Sequence, residues 1–122
     1  ETVQAAMNFV AAIRRMPIRC GEAPGFVVNR ILNAAVSELW RAQEESGIPI
    51  AEFDAMIAEA GASKAGPFSV ADVVGLDTVL YVAEHLHDCY GDRFHVHGRL
   101  RELVDAGDLG AKTGKGFYEH HD

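Results

Sequence analysis

Pro24-Gly25-Phe26-Val27-Val28-Asn29-Arg30 opens the longest helical pattern in this sequence. Neither glycine nor proline recurs after that stretch until Gly47, and an apolar period close to 3.6 residues runs through the segment. Pro24 suits the first position of a helix, where its missing N–H is no loss, and Gly47 suits the position just after a helix end. These boundary signals predict one continuous central helix over residues 24–45.

The predicted central helix has an apolar side and a polar side. At about 100° per residue, one broad arc holds Val28, Ile31, Leu32, Ala35, Val36, Leu39, Trp40 and Ala42, and the other side holds Arg30, Asn33, Ser37, Arg41 and Glu44. Asn29 falls on the apolar arc, between Val36 and Trp40. A polar amide in that position needs a partner. Two interpretations are open: a hydrogen bond to a neighbouring loop, or an amide directed at a ligand beside the positive end of the helix dipole.

Length, composition and charge indicate the class of protein. The chain has 122 residues, enough for one domain with its own core, and its 48% apolar and 24% charged content is that of an ordinary globular protein. A formal net charge of −7 without any cluster of Lys and Arg argues against nucleic-acid and anionic-membrane partners.

Signals for membrane insertion and export are also missing from the sequence. No segment approaches the roughly 20 apolar residues of a membrane span, and the first residues lack a signal-peptide pattern. Cys20 and Cys89 form no C-x-x-C motif, so a reducing compartment is the simplest interpretation, although two cysteines leave a disulfide open. We therefore expect a cytoplasmic protein.

Periodicity and breakers predict five further helices, and hence an all-α fold of about six helices in a single helical domain. They cover residues 2–15, 48–60, 66–74, 77–90 and 100–106. Asp77 is the predicted N-cap of the fourth of these. Ile18-Arg19-Cys20 is predicted to be a short edge strand of a sheet outside this chain. The glycine-rich residues 109–118 are predicted to form an extended strap that docks Phe117 and Tyr118 on the body.

Two patterns that suggest ligand binding do not support a site. The pairs His85-x-His87 and His95-x-His97 and the doublet His120-His121 lack a third ligand at metal spacing, and an i, i+2 pair on a helix points to different faces. Residues 112–116 (KTGKG) lack the order of a phosphate-binding loop and a strand-to-helix transition around it. We therefore predict no metal ligands and no cofactor-binding residues in this chain.

Three stretches, in this order and at this spacing, carry a resemblance to a known family. They are residues 23–30 (APGFVVNR), residues 66–77 (GPFSVADVVGLD) and residues 109–118 (LGAKTGKGFY). Together they resemble the C-terminal domain of the L-3-hydroxyacyl-CoA dehydrogenase family, whose fold is similar to the C-terminal domain of 6-phosphogluconate dehydrogenase. The sequence departs from the family pattern at Ser69, where Glu is usual, and at Lys64-Ala65, where Pro-Met is frequent.

The resemblance implies a two-domain enzyme of which this chain is one part, an expectation that its start at Glu1 within a helical pattern also favours. Residues 1–20 would end a truncated nucleotide-binding part or form a linker, and residues 21–122 would be the helical C-terminal substrate and dimerisation domain. An N-terminal Rossmann domain would bind NAD through a G-x-G-x-x-G turn and carry the family's catalytic His–Glu pair. Neither feature is present in this sequence, so the fragment alone is predicted to be inactive and to bind no NAD.

The resemblance also assigns a role to one residue and names partners. Asn29 matches the family's active-site asparagine, and it is the one catalytic residue that can be carried over. The implied partners are an acyl-CoA substrate, bound together with the missing Rossmann domain, and a second copy of the chain in a homodimer. Two alternatives stay open: a non-catalytic duplicated helical dimerisation module, and a related superfamily dehydrogenase acting on a sugar acid.

Overall fold

The computed structural model describes residues 1–121 and is 64% helical, with six α-helices. They are α1 (Thr2–Ala12), α2 (Val28–Ser46), α3 (Ile50–Glu59), α4 (Pro67–Val74), α5 (Leu76–Tyr90) and α6 (Gly98–Asp105). Single 3₁₀ turns follow at Gly91–Arg93 and Ala111–Thr113. No strand occurs within residues 1–121, where the only β-type pairing consists of isolated bridges near the C-terminus. The predicted all-α fold of about six helices is confirmed.

The central helix begins later than predicted and ends where predicted. Gly25 and Phe26 have φ angles of +77° and +45°, in the left-handed region, so the backbone at these residues cannot continue a right-handed helix. The segment before Val28 is therefore a turn, and Pro24 is not the first helical residue. At the other end, Gly47 has φ +66° and its N–H donates to the Gln43 carbonyl oxygen, which is the expected left-handed stop.

Two other local predictions are wrong in detail. α1 ends at Ala12, just before Arg14 adopts φ +59°, and not at residue 15. The predicted strand at residues 18–20 requires a sheet outside this chain, so it stays a prediction; within residues 1–121 they pair with no strand. Asp77 lies inside the first turn of α5 and not at its N-cap, which is Gly75; its carboxylate accepts the Thr78 N–H and pairs with Lys112.

The core lies where α2 to α6 meet, around the rings of Trp40, Phe53 and Phe68. Leu76, Leu80, Ala83, Leu100 and Leu103 complete the buried apolar cluster. Ser37 was predicted on the polar side of α2, but it is buried, and its hydroxyl donates to the His95 carbonyl oxygen at 3.3 Å. No residue of α1 is buried, so α1 contributes nothing to this core.

Two buried carboxylates, which the sequence analysis did not single out, fix the C-terminal tail to the helices. Asp72 of α4 is fully buried and accepts the N–H groups of Phe117 and Tyr118, both at 2.9 Å, and His120 Nε2 at 2.7 Å. Asp54 of α3 accepts the Tyr118 hydroxyl at 2.7 Å, and two backbone N–H groups of the first turn of α4. The tail is thus held through Asp72 and Asp54, and Phe117 and Tyr118 dock on the body as predicted.

The environment of Tyr118 follows from this arrangement. Burial of the phenol raises its pKa, and the hydrogen bond to the Asp54 carboxylate raises it further, because a phenolate there would face two carboxylates. Tyr118 is therefore a permanent donor at any ordinary pH, which keeps its hydrogen bond to Asp54 intact.

His97, just before α6, is buried among the rings of Trp40, Phe68 and Phe117. Its Nε2 lies 2.8 Å from Gln43 Oε1, so this nitrogen carries the proton and donates to the amide oxygen. Its Nδ1 has no hydrogen-bond partner among residues 1–121. Burial lowers the pKa of His97, and this effect outweighs the nearby Glu44 carboxylate, which raises it.

The free energy of unfolding should fall as the pH drops below about 6.5, the ordinary pKa of histidine. Because the pKa of His97 is lower in the folded chain, the unfolded chain takes up a proton first and gains stability from it. The contribution of neutral His97 to the free energy of unfolding is fully present above that pH and is lost progressively below it. Urea unfolding between pH 7.5 and pH 5.5 measures the slope.

A variant and a matched control separate His97 from the other histidines. His97→Gln should flatten the pH dependence of stability in that window, whereas His121→Gln, at an exposed position, should leave it as in the wild type. An equally steep slope in His97→Gln would assign the effect to another group.

Candidate active-site cleft

A cleft of about 270 Å³ runs between α2, α4 and α5, and we call it the Asn29 cleft. Its walls are mostly apolar, formed by Leu32, Val36, Trp40, Pro67, Val70, Ala71, Val74, Val79 and Val82. Three uncharged polar side chains, Asn29, Asn33 and Thr78, also line it. An apolar cavity with a few polar groups is the usual form of a small-molecule site.

Asn29 is the second residue of α2 and is exposed at this cleft. Its backbone carbonyl accepts Asn33 Nδ2 at 2.9 Å, but no hydrogen bond to its own side-chain amide is found within residues 1–121. The loop hydrogen bond, one of the two interpretations of this residue, is therefore not present in the described chain. Asn29 lines the cleft beside the helix start, and its catalytic role stays a prediction.

Asn33 also lines the cleft, although it was predicted on the polar side of α2. It lies one turn after Asn29, about 40° further around the helix, and this small offset brings both amides to the same opening. The walls on α4 and α5 come from residues 66–77 and the residues just after them. The family motif over residues 66–77 identified this segment as a whole. The spacing of its apolar residues could not show which of them face α2.

Glycine and proline set the geometry of the α4 wall. A Cβ at Gly66 would lie 2.1 Å from the Asp54 side chain, so only glycine fits where α3 and α4 cross. Pro67 follows as the first residue of α4 and lines the cleft directly. Asp54 accepts the N–H groups of Phe68 and Ser69, which no carbonyl within the helix can reach, and this anchors the start of α4.

The apolar arc of α2 is buried only in its second half. Val36, Leu39 and Trp40 pack on the core, but Ile31 is 69% exposed and Val28 and Leu32 are similarly open. Val73 and Val74 of α4 are exposed as well, at 76% and 55%. The exposed area of the whole chain is 8265 Å², against roughly 6400 Å² for a compact monomer of this mass. The chain therefore exposes more surface than a compact monomer of its mass, and these five apolar side chains of α2 and α4 are part of that surface.

The described residues show neither a metal cluster nor a membrane span. Within residues 1–121 no group of three or more His, Cys, Asp or Glu side chains is arranged to hold a metal ion. None of the helices described there is both long enough and apolar enough to cross a membrane. Cys20 and Cys89 are free thiols.

Comparisons with known proteins give the same family along the chain. The family described as 3-hydroxyacyl-CoA dehydrogenase, C-terminal domain, matches residues 25–120. A probable 3-hydroxybutyryl-CoA dehydrogenase of Deinococcus radiodurans is 34% identical over 98% of this chain and 44% of the relative. The mitochondrial hydroxyacyl-coenzyme A dehydrogenase of Homo sapiens is 30% identical over 98% of this chain and 39% of that protein.

A comparison with solved structures leads to the same family. The crystal structure of (S)-3-hydroxybutyryl-CoA dehydrogenase from Ralstonia eutropha superimposes with a TM-score of 0.86 at 34% identity, over 98% of this chain and 42% of that one. The chain spans less than half the length of each of these relatives. It belongs to the 3-hydroxyacyl-CoA dehydrogenase family, and the part of the family it represents is the C-terminal helical domain.

Proposed function

We propose that this chain is the C-terminal domain of a cytoplasmic, NAD-dependent L-3-hydroxyacyl-CoA or 3-hydroxybutyryl-CoA dehydrogenase of fatty-acid metabolism. In this proposal the chain supplies one wall of the acyl-CoA site and the interface of a homodimer. The observation that carries the proposal is the open, apolar Asn29 cleft on a chain that spans less than half of its dehydrogenase relatives.

The residues of the cleft suit a ligand that has an apolar acyl chain and one oxygen atom that accepts or donates a hydrogen bond. Its valine and leucine walls can cover methylene groups, and each buried CH₂ contributes about 0.8 kcal/mol to binding. The Asn29 amide has both a donor and an acceptor, so it can hold a hydroxyl or a carbonyl oxygen, or an imidazole that faces it. Positioning of this kind lowers the barrier by fixing the reacting carbon.

NAD does not fit the Asn29 cleft on its own. The Asn29 cleft measures about 270 Å³ and no basic residue lines it, so it offers neither the room nor the charge that a dinucleotide requires. The sequence also lacks the glycine-rich turn that receives a pyrophosphate. We therefore place the NAD site and the acid–base pair in the Rossmann domain, and we derive no hydride step from this chain.

The proposal predicts different results for the chain and for its parent protein. Calorimetric titration of the 122-residue chain with NAD should show no binding in the micromolar range, and the chain should not oxidise L-3-hydroxybutyryl-CoA. The parent protein should reduce NAD with that substrate, followed as NADH absorbance at 340 nm. A parent that leaves hydroxyacyl-CoA thioesters unchanged but oxidises a sugar acid would replace this proposal with the alternative substrate class.

Self-association of the chain is a further expected result. The exposed apolar residues of α2 and α4 have a strong tendency to be covered, and closed two-fold dimers are the commonest way to cover such a surface. Light scattering should give about twice the 13.2 kDa mass of one chain. Val73→Glu should shift the mass toward the monomer, because it puts a charge among the exposed valines of α4.

Val3→Glu serves as the control, because Val3 is exposed on α1, which contributes nothing to the core. It should leave the mass unchanged. A wild-type chain that stays monomeric at high concentration would contradict the dimer.

A further inference from the structure

A second cavity, of about 260 Å³, lies on the other side of α2 from Asn29. It is lined by Arg30, Ile31 and Ala34 of α2, and by Tyr90, Arg93 and Phe94 from the end of α5 and the turn after it. We call it the arginine cavity. Its α2 residues are centred roughly 140° around the helix from those of the Asn29 cleft, so the two cavities are separate.

The two arginines of this cavity have no carboxylate within ion-pair distance among residues 1–121. Five other basic residues do have one: Arg41, Arg99, Arg101, Lys112 and Lys115. The remaining basic residues lie in the segment between α1 and α2 or in the loop before α4: Arg14, Arg15, Arg19 and Lys64. Acidic residues outnumber basic residues in this chain by 18 to 11. Even so, Arg30 and Arg93 lack an acidic partner within residues 1–121, and both line the same cavity.

An aromatic platform holds Arg30 in place. Its guanidinium carbon lies 5.5 Å from the centre of the Tyr90 ring, a cation–π distance. The Tyr90 hydroxyl donates to the Pro24 carbonyl oxygen at 3.3 Å, and the Tyr90 ring packs against Phe94 with centroids 5.5 Å apart. Because an aromatic face and not a carboxylate positions Arg30, the N–H donors of its guanidinium group are available to a ligand.

The nearby acidic residues do not neutralise the cavity. Glu22 lines an adjoining cavity that also touches Arg30, but it forms no ion pair with it among the described residues. The Asp92 carboxylate, next to Arg93, forms no ion pair among the described residues, and the Asp92 backbone carbonyl accepts a hydrogen bond from Arg41 at 2.6 Å. Arg41 is itself paired with Glu38. Positive charge at the cavity therefore comes from Arg30 and Arg93.

We propose that the arginine cavity binds an anionic group, a phosphate or a carboxylate, carried on an aromatic or short apolar moiety. Guanidinium groups bind such oxyanions through paired N–H donors, which adds both strength and geometric selectivity. Ile31, Ala34 and Phe94 supply the apolar wall for the remainder of the ligand. Since the cavity is separate from the Asn29 cleft, this site does not depend on the proposed dehydrogenase activity.

Calorimetric titration of the 122-residue chain with three matched probes tests the site. Phenyl phosphate and benzoate carry the anion on a ring, and benzyl alcohol carries none. At low salt the anions should bind with a dissociation constant of about 1 mM, salt at about 1 M should weaken them, and benzyl alcohol should not bind. Tighter binding of phenyl phosphate than of benzoate assigns a phosphate ester, and the reverse order assigns a carboxylate.

Three substitutions identify the groups responsible. Arg93→Gln should weaken anion binding about tenfold, the loss typical of one charge-assisted contact, and Arg30→Gln should do the same. Arg99→Gln, at an exposed arginine of α6 paired with Glu102, should bind as the wild type does. Circular dichroism checks each variant for folding, and Arg93 is exposed, so its variant keeps the test valid if Arg30→Gln unfolds.

Any of three results overturns the proposal: no saturable binding of either anion at about twenty times the expected dissociation constant, benzyl alcohol binding as tightly as benzoate, or Arg93→Gln binding as the wild type does.

Discussion

Asp72→Ala should lower the free energy of unfolding by about 3–5 kcal/mol, the largest stability effect expected for a single substitution in this chain. The Asp72 side chain is fully buried and receives two backbone N–H groups and one imidazole nitrogen. Alanine would leave these partly buried donors without an acceptor. Since whole domains are stable by only about 5–15 kcal/mol, the variant should be close to unfolding at physiological temperature.

The same substitution should also release the tail. Phe117 and Tyr118 pack on the core, but both of their backbone N–H groups are held by Asp72. Hydrogen exchange of residues 116–120 should therefore accelerate more than exchange in α5, in addition to a lower midpoint in urea. Asp72→Asn, which keeps one acceptor oxygen, should lose less than alanine does.

Asp88→Ala is the matched control, because Asp88 is an exposed aspartate within α5. Surface changes of this type normally alter stability by less than about 0.5 kcal/mol. If Asp72→Ala were within about 1 kcal/mol of the wild type, the tail would have to be held mainly by its aromatic side chains.

Several helix boundaries of this fold could be predicted from the sequence, because single residues at those positions determine where a helix begins or ends. Gly47 ends α2 because a left-handed residue stops a helix, and Pro67 begins α4 because proline fits a first helical position. The same reasoning misplaced the start of α2. Phe26 adopts a left-handed conformation that a residue with a side chain rarely takes, so no propensity argument indicates it.

Periodicity identified a shared face of α2 but not what covers it. Val28, Ile31 and Leu32 lie on the arc with Trp40, yet of these four residues only Trp40 is buried in the core. Burial depends on partners, and the relatives are more than twice as long as this chain. Under the proposal made above, Val28 and Leu32 are covered by the Rossmann domain or by a second copy of the chain.

Long-range polar contacts could not be predicted at all. Asp54 and Asp72 sit on helices whose patterns give an acidic residue no special role, and their partners lie up to 64 residues away in the sequence. Asn29 was accessible to sequence reasoning for a different reason. An amide on an apolar arc conflicts with the local pattern, and such conflicts are typical of functional positions.

Asn29→Ala in the parent enzyme should reduce kcat about 100-fold while leaving stability nearly unchanged. The rate loss corresponds to about 2.7 kcal/mol, the lower end for one positioned donor at a reacting oxygen. Stability should change little, because the Asn29 side chain makes no hydrogen bond within residues 1–121 and is exposed at the cleft. Alanine even has the better helix propensity, by roughly 0.6 kcal/mol.

Two measurements on the same protein separate the possible roles of Asn29. Steady-state kinetics should show the fall in kcat with NAD affinity unchanged, since the proposed NAD site is in the other domain, and the melting temperature should stay at or slightly above the wild-type value. Asn8→Ala, at an exposed asparagine within α1 whose Oδ1 accepts the Gln4 side-chain amide at 2.9 Å, reports the effect of helix propensity together with the loss of one exposed hydrogen bond. A normal kcat combined with a lowered melting temperature would make Asn29 a structural residue, because a buried partner would then have lost its hydrogen bond at a cost of about 1–3 kcal/mol.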